Sequence, residues 1–497
     1  MDEELRKLQE LFFTELVGRL NLKPLVTPIS PADFPNLDWT MAEKDEPPTA
    51  VAHKETQLGF YDMQLPCTTS KPRADRKLSL ILDLDQTLVH AMKLNELFSD
   101  ILCPPPGTVP NEFDKFVLSN FANCTNPKFV EAFTTRINFY PDSLVAPVPG
   151  GRLETEPRQL LVTWLENDMY LIKLRPGLRS FIAKLAALYE LHIYTKANRN
   201  YLNFLINELD PLGKYFTSAV ARDDSPDLDI ELKVLNRVCC RTMNEIVVFD
   251  DRVDIWSEST GNVVRAQPYN FLQLKKMSVI KALEEIVAVS PSAMGEASGI
   301  ALDFDCHLHY MQEVLVKVHE EFVRGMGKLI VPEIVTRIRK QVLAGMNILF
   351  TGFTDLAQFT KEIESFGAVC STGQVPGASP DESPKEEDPD CQTILVAAKH
   401  TKRVHDAKKI SKMKVVHGSW LDHCRATWTV PNLAVFDHSR FRVNEDGTYG
   451  AIDSWEVAWI AANQHGFSTE RVNGDSSELG FAHSITSNKE VKKRRRV

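Results

Sequence analysis

The chain has 497 residues, 43% of them hydrophobic and 25% charged, with a formal net charge of −10. A chain of this length accommodates about two to four domains with sizeable cores, and its acidic balance argues against a general nucleic-acid binder, which is normally basic. No apolar run reaches the length of a membrane span and the acidic start, from Met1 to Glu4, lacks a signal-peptide pattern, so no membrane association and no secretion are expected.

Leu5, Leu8, Leu11, Phe12 and Leu16 fall at helical spacing and predict an amphipathic helix. A stretch rich in Pro, Asp and Thr then runs to about residue 75, so residues 1–77 read as a helix and linker. The short apolar run Leu78-Ser79-Leu80-Ile81-Leu82 predicts a buried strand of a parallel sheet. Residues 95–160, with Pro104-Pro105-Pro106, read as an insertion. Beyond it the pattern predicts a helix over 178–185, a strand over 188–194, a helix over 228–238 and a strand at Ile246-Val247-Val248-Phe249. Strand alternating with helix is the signature of an α/β fold built on a parallel sheet, here over 78–275.

Leu308, Met311, Leu315, Val318 and Phe322 recur at three- and four-residue steps and predict a helix within a helical linker over 276–342. The alternation restarts at 343 and ends at 437, giving a second, smaller α/β unit, and 438–497 form a tail. Inside that unit, Ser379-Pro380-Asp381-Glu382-Ser383-Pro384-Lys385-Glu386-Glu387-Asp388 is acidic and proline-rich, as expected of a disordered loop. The tail carries Lys492-Lys493-Arg494-Arg495-Arg496, which reads as a nuclear localisation signal. The nine cysteines are scattered without a CxxC pair, so reduced thiols are expected rather than zinc or disulfides.

The candidate chemistry lies at the strand ends. Asp83 and Asp85 follow the first strand, and the pair Asp250-Asp251 closes the third. Ligands of open α/β sheets bind at the carboxyl ends of the strands. Two clusters of hard oxygen ligands on one edge suit Mg²⁺.

Asp83-Leu84-Asp85-Gln86-Thr87 resembles the DxDxT signature of haloacid-dehalogenase-like phosphatases. Lys173-Leu174-Arg175-Pro176-Gly177, His192-Ile193-Tyr194-Thr195-Lys196, Ala221-Arg222-Asp223 and Phe249-Asp250-Asp251-Arg252-Val253-Asp254-Ile255-Trp256 narrow the resemblance. Together they are similar to the RNA polymerase II C-terminal-domain phosphatases of the TFIIF-associating type. The resemblance implies a Mg²⁺-dependent serine/threonine phosphatase in the nucleus, working on the phosphorylated polymerase tail, with TFIIF as a further partner. It also implies roles. Asp83 is the nucleophile and Asp85 the general acid, whose backbone carbonyl joins Asp83 and Asp251 as a metal ligand. Thr195 holds a phosphate oxygen, Lys233 neutralises phosphoryl charge, Asp250 positions Lys233, and Arg175 stands near the substrate phosphate. Gln86 departs from the Glu usual there, and Lys196 and Ala197 are less typical after Thr195.

The second unit, from Gly345-Met346-Asn347-Ile348-Leu349-Phe350-Thr351-Gly352-Phe353 to Gly418-Ser419-Trp420-Leu421-Asp422-His423-Cys424, resembles a BRCT domain, with Trp420 as its buried helix tryptophan. That resemblance implies phosphopeptide contacts at Thr351, the Gly352 amide and Arg403. Two other readings stay open at this point: a phosphatase of another nuclear phosphoprotein, and a catalytically weak scaffold built around the BRCT domain.

Overall fold

The computed structural model of the chain describes residues 77–121, 143–145, 154–156, 159–165, 168–224, 232–238, 242–256, 259–277, 279–280, 303–325, 328–354, 356–371, 392–409, 413–450, 455 and 457. The amphipathic helix expected near the start, the acidic loop around 379–388 and the basic block at 492–496 lie outside the described residues, as does part of the 95–160 insertion.

Five strands form an all-parallel sheet: β1 (Leu78–Leu82), β7 (Tyr189–Tyr194), β8 (Phe216–Val220), β9 (Ile246–Asp250) and β10 (Val263–Arg265). Their order is β10-β9-β1-β7-β8. Every residue of β1 and of β9 is buried, as a strand covered on both faces requires. The chain fills one side of β1 with β7 and β8, then crosses back to lay β9 and β10 on the other. β1 is therefore the strand at which the winding reverses, and its carboxyl end is the place where such sheets bind ligands.

The excursion between β1 and β7 has a sheet of its own. β2 (Val89–Lys93), β5 (Leu160–Leu165) and β6 (Asp168–Leu174) pair antiparallel in the order β2-β6-β5, and a short ribbon of β3 (Ser143–Val145) and β4 (Glu154–Glu156) lies within it. This sheet starts and ends outside the bounds expected for the insertion, since β2 opens at Val89 and β6 closes at Leu174. β6 leads straight into helix α1 (Leu178–Leu188), and helix α2 (Arg199–Leu209) joins β7 to β8.

Helix α3 (His307–Arg324) buries Leu308, Met311, Leu315, Val318 and Phe322 as its periodicity predicts, and packs on α1. The Tyr189 hydroxyl at the start of β7 donates to the Leu315 carbonyl at 2.6 Å. Helix α4 (Val331–Gln341) has Pro332 in its first turn, where the missing N–H costs no hydrogen bond. It lies between α3 and β10.

The second parallel sheet follows: β11 (Met346–Thr351), β12 (Val369–Ser371), β13 (Gln392–Ala397) and β14 (Lys414–His417), in the order β12-β11-β13-β14. Helices α5 (Leu356–Glu364), α6 (Lys402–Ala407) and α7 (Ser419–Thr427) pack against it, and Trp420 is fully buried. One apolar core runs from β1 and β7 through α3 and α4 to β11 and β13. No helix among the described residues is long and apolar enough to cross a membrane. Among the described residues, Cys103, Cys306, Cys370 and Cys424 form no disulfide.

The helix expected over 228–238 is a correction. Residues 232–238 form a loop with a single 3-10 turn at Leu235–Arg237, because the Lys233 N–H is taken by the Ile255 carbonyl at 2.8 Å and cannot continue a helix.

Candidate active site

The site grows from three adjacent strand ends. The Asp83 N–H donates to the Phe249 carbonyl of β9 at 3.0 Å, carrying the parallel pairing one residue past β1. The chain then turns sharply. The amides of Thr87, Leu88 and Val89 all donate to the Leu84 carbonyl, and Gln86 sits at φ 60°. A non-glycine residue in the left-handed region marks a held conformation. The turn sends Asp83 inward and leaves Asp85 half-buried at the rim.

Lys233 is the centre of the arrangement. Its ammonium donates to Asp83 Oδ1 at 2.5 Å and to Asp250 Oδ2 at 2.8 Å, beneath the rings of Tyr194 and Trp256 at 5.5 and 5.7 Å. Burial lowers the pKa of that amine, but Asp83 and Asp250 outweigh burial and hold it above its usual value. Asp250 is fully committed: its Oδ2 also accepts from Trp256 Nε1 at 2.9 Å and its Oδ1 from the Arg252 amide at 2.8 Å. Asp251 Oδ1 accepts from the Thr87 hydroxyl at 3.2 Å, and that hydroxyl accepts from the Asp251 amide at 3.1 Å.

Asp83, Asp250 and Asp251 each bring a carboxylate oxygen to within 4.8 Å of the others. Three buried carboxylates face one ammonium. Burial, with Asp250 and Asp85 beside it and Lys233 opposing, pushes Asp83 up to about 8. Burial and Asp250 likewise raise Asp251. Hard oxygen donors in excess of their cation fit a divalent ion such as Mg²⁺. Since Asp250 is occupied by Lys233, Trp256 and a backbone amide, Asp83 and Asp251 are the side chains best able to hold it.

Asp85 points elsewhere. Its Oδ1 accepts from the Tyr201 hydroxyl at 2.7 Å, and the Thr195 hydroxyl lies 3.4 Å from its Oδ2. Burial raises its pKa against the pull of Tyr201, Lys233 and Thr195. Thr195 follows β7, fully buried, with its hydroxyl accepting from the Ala197 amide at 3.0 Å.

Arg175, expected near the substrate phosphate, is fully buried and donates to both carboxylate oxygens of Asp305 at 2.9 Å, and to the carbonyls of Thr87 and Gln267 at 2.9 Å. A guanidinium so bonded ties the turn after Asp85 to Asp305. Lys173, two residues before it, is equally buried and pairs with Asp303 at 3.0 Å. Residues 303–305 thus deliver two carboxylates to two buried cations.

Sequence reasoning missed Tyr201, Asp303 and Asp305. Tyr201 carried one available signal: Asn198 caps α2 three residues earlier, accepting from the Tyr201 amide at 2.8 Å, which fixes an aromatic residue in the first turn beyond a strand end. Asp303 and Asp305 carried none, since their partners lie 130 residues away.

At the second sheet, Thr351, Gly352 and Arg403 gather at the carboxyl end of β11. The hydroxyls of Thr351 and Thr401 are 2.6 Å apart, and Arg403 donates to the Phe350 carbonyl at 3.0 Å. Gly352 has φ 80°, and a Cβ there would stand 2.6 Å from the Lys399 amide nitrogen, so only glycine fits.

Residues 152–291 match the family described as NLI interacting factor-like phosphatase. The match takes in Thr195, Lys233, Asp250 and Asp251, while Asp83 and Asp85 precede it, just after β1. The chain is 31% identical over 205 residues to an RNA polymerase II C-terminal domain phosphatase of Saccharomyces cerevisiae, covering 40% of this chain and 24% of that protein. It is 25% identical over 387 residues to the corresponding RNA polymerase II C-terminal domain phosphatase of Caenorhabditis elegans, covering 75% of this chain and 47% of that one. It thus spans less than half the length of either relative. The RNA polymerase II C-terminal domain phosphatase-like 4 of Arabidopsis thaliana is 24% identical, over 80% of this chain and 79% of that protein. A solved structure described as Fcp1, an essential RNA polymerase II CTD phosphatase, superposes with a TM-score of 0.44 at 24% identity, covering 72% of this chain and 95% of that one.

Proposed function

We propose that this chain, which carries an NLI interacting factor-like phosphatase domain, is a magnesium-dependent protein serine/threonine phosphatase of the nucleus that dephosphorylates the C-terminal tail of RNA polymerase II. The observation that carries the reading is Lys233, whose ammonium links Asp83 to Asp250 at the carboxyl end of the central strand. The names of the relatives support the substrate.

In this reading an Asp83 carboxylate oxygen attacks phosphorus, the bond from phosphorus to the serine oxygen breaks, and Asp85 delivers a proton to that oxygen. Asp85, now a carboxylate, accepts a proton from water as the water attacks the acyl phosphate, which frees Asp83 and releases phosphate. Lys233 offsets negative charge on the phosphoryl oxygens, Thr195 donates to one of them, and Asp250 keeps the Lys233 ammonium aimed at Asp83. Asp83, the Asp85 carbonyl and Asp251 would hold magnesium, which would supply further neutralisation of phosphoryl charge. Residues 343–437 act as a BRCT domain that binds a neighbouring phosphorylated segment through Thr351, Gly352 and Arg403. The basic block at 492–496 directs nuclear import, and TFIIF is a partner.

Phosphate release from singly phosphorylated tail-repeat peptides tests the reading. The purified full chain is expected to turn them over with Mg²⁺, to stop in excess EDTA, and to lose several orders of magnitude of turnover as Asp83→Asn with its melting temperature retained. Undiminished release in EDTA, or wild-type rates in Asp83→Asn, overturns it.

A further inference from the structure

A general acid at Asp85 must be aimed. The residue is half-buried at the rim of the site, and a carboxyl group on a short side chain can present either oxygen to a leaving group. Among its contacts the Tyr201 hydroxyl is the shortest, 2.7 Å from Oδ1, against 3.4 Å from the Thr195 hydroxyl to Oδ2. Tyr201 is itself firmly held. Its ring is 5% exposed and leans on Tyr170 at a centroid distance of 6.5 Å, and its amide is tied to the Asn198 cap. A phenol O–H fixed in this way points one donor at one oxygen.

We propose that Tyr201 is a positioning residue for the leaving-group step: its hydroxyl, donating to Asp85 Oδ1, reserves Oδ2 for the transferable proton and turns that oxygen toward the serine oxygen of the substrate. This deepens the proposed function and rests on Asp85 as its general acid. Both oxygens accept a hydrogen bond, but Oδ1 takes the short one from Tyr201 at 2.7 Å and Oδ2 only the long one from the Thr195 hydroxyl at 3.4 Å, so the proton of the acid form belongs on Oδ2. It passes to the serine oxygen as the phosphorus–serine bond breaks and the bond from phosphorus to Asp83 forms. When Oδ2 later accepts a proton from the attacking water, the same hydroxyl has held the carboxylate in place throughout. The Tyr201 ring packs whether or not the hydroxyl is present, so the hydroxyl's contribution can be separated from the ring's.

The separation uses leaving groups. p-Nitrophenolate departs without a proton, whereas a serine alkoxide does not. Tyr201→Phe, as the full chain with Mg²⁺, is expected to lower kcat/KM on a phosphoserine tail peptide by about 10²-fold, the lower end of what general acid catalysis contributes, while changing kcat/KM on p-nitrophenyl phosphate by less than about threefold, because kcat/KM reports the steps up to departure of the leaving group and not the later hydrolysis that both substrates share. Equal losses on the two substrates, or no loss on either, overturn the proposal. Beryllium fluoride, which mimics phosphate on Asp83 and needs no leaving-group proton, reports on the rest of the site: the adduct is expected to form on Tyr201→Phe as on wild type, and its loss would show that the hydroxyl supports the whole site and sink the assignment. Asp85→Asn in the same two assays keeps the two readings apart. If Asp85→Asn splits the substrates and Tyr201→Phe does not, only the role of Tyr201 fails. If Asp85→Asn does not split them, the general-acid reading fails first and this inference with it.

Discussion

The molecule has two parallel sheets, and each gathers polar groups at the carboxyl end of its central region, but the two ends are built oppositely. At the first, Asp83, Lys233, Asp250 and Asp251 are buried and bonded to one another. At the second, Thr351 and Thr401 share one hydroxyl contact while Lys399 and Lys402 stand exposed. Buried, mutually bonded charges are expensive to assemble, and where they surround a reacting group the low dielectric strengthens each of their interactions with it. Hydroxyls and cations at a surface cost little and suit reversible capture of an anion. Under the proposed function, the same architecture would serve a reacting centre where charge is sealed in and a binding surface where it is left wet.

Unbalancing the sealed charge tests this contrast most severely. Asp305→Ala leaves the Arg175 guanidinium buried without its carboxylate, and removing one partner of a buried pair costs about 3–5 kcal/mol. Urea unfolding should show that loss. A change below about 1 kcal/mol would mean that water reaches Arg175, and the first region would be no drier than the second. Next in size is Lys233→Met, which keeps the stem and removes the ammonium. Turnover of a phosphoserine peptide should fall by about 10²–10³-fold, the range for losing one well-placed electrostatic donor. Smallest is the change at the wet end. Thr351→Ala combined with Arg403→Ala should weaken turnover of multiply phosphorylated peptides by up to about 10²-fold and leave p-nitrophenyl phosphate untouched, because linked sites gain avidity without new contacts at the reacting centre. Equal effects on both substrates would recast the second sheet as a buttress of the first.

Much of this was legible in the sequence where the cause is local. β1, β7, β9, β11, β13 and α3 follow from apolar runs and helical periodicity, and burial on both faces explains why β1 and β9 read as unbroken hydrophobic stretches. Asp83, Asp85, Asp250 and Asp251 announce themselves by sitting at strand ends. Lys233 was the hardest residue to place, since its expected helix is a loop and its partner Asp83 is 150 residues away. Arg175 shows the limit from the other side: a cation in a conspicuous motif suggests phosphate, and only burial reveals that Asp305 already neutralises it. Tyr201 shows a third kind of limit, because an aromatic residue in the first turn of a helix is ordinary until its hydroxyl is seen to reach a carboxylate. β2, with the sequence Val89-His90-Ala91-Met92-Lys93, carries neither an unbroken apolar run nor an alternation, and its partner β6 lies about 80 residues on, which hides the antiparallel sheet of the excursion.

The two carboxylates at 303 and 305 carry a consequence for how the chain is made. β1 must wait for β9 before its second edge is paired, and Lys173 and Arg175 must then wait for a segment about 130 residues further along. Pairings so distant in sequence slow folding, and a nascent chain emerging from the ribosome amino end first would hold two cations in a forming core with no counter-charge yet synthesised. The phosphatase sheet therefore closes late, after residue 305 has emerged, and a nascent chain stalled before that point should bind chaperones and yield to protease along β6 and α1, while one carrying α3 should not.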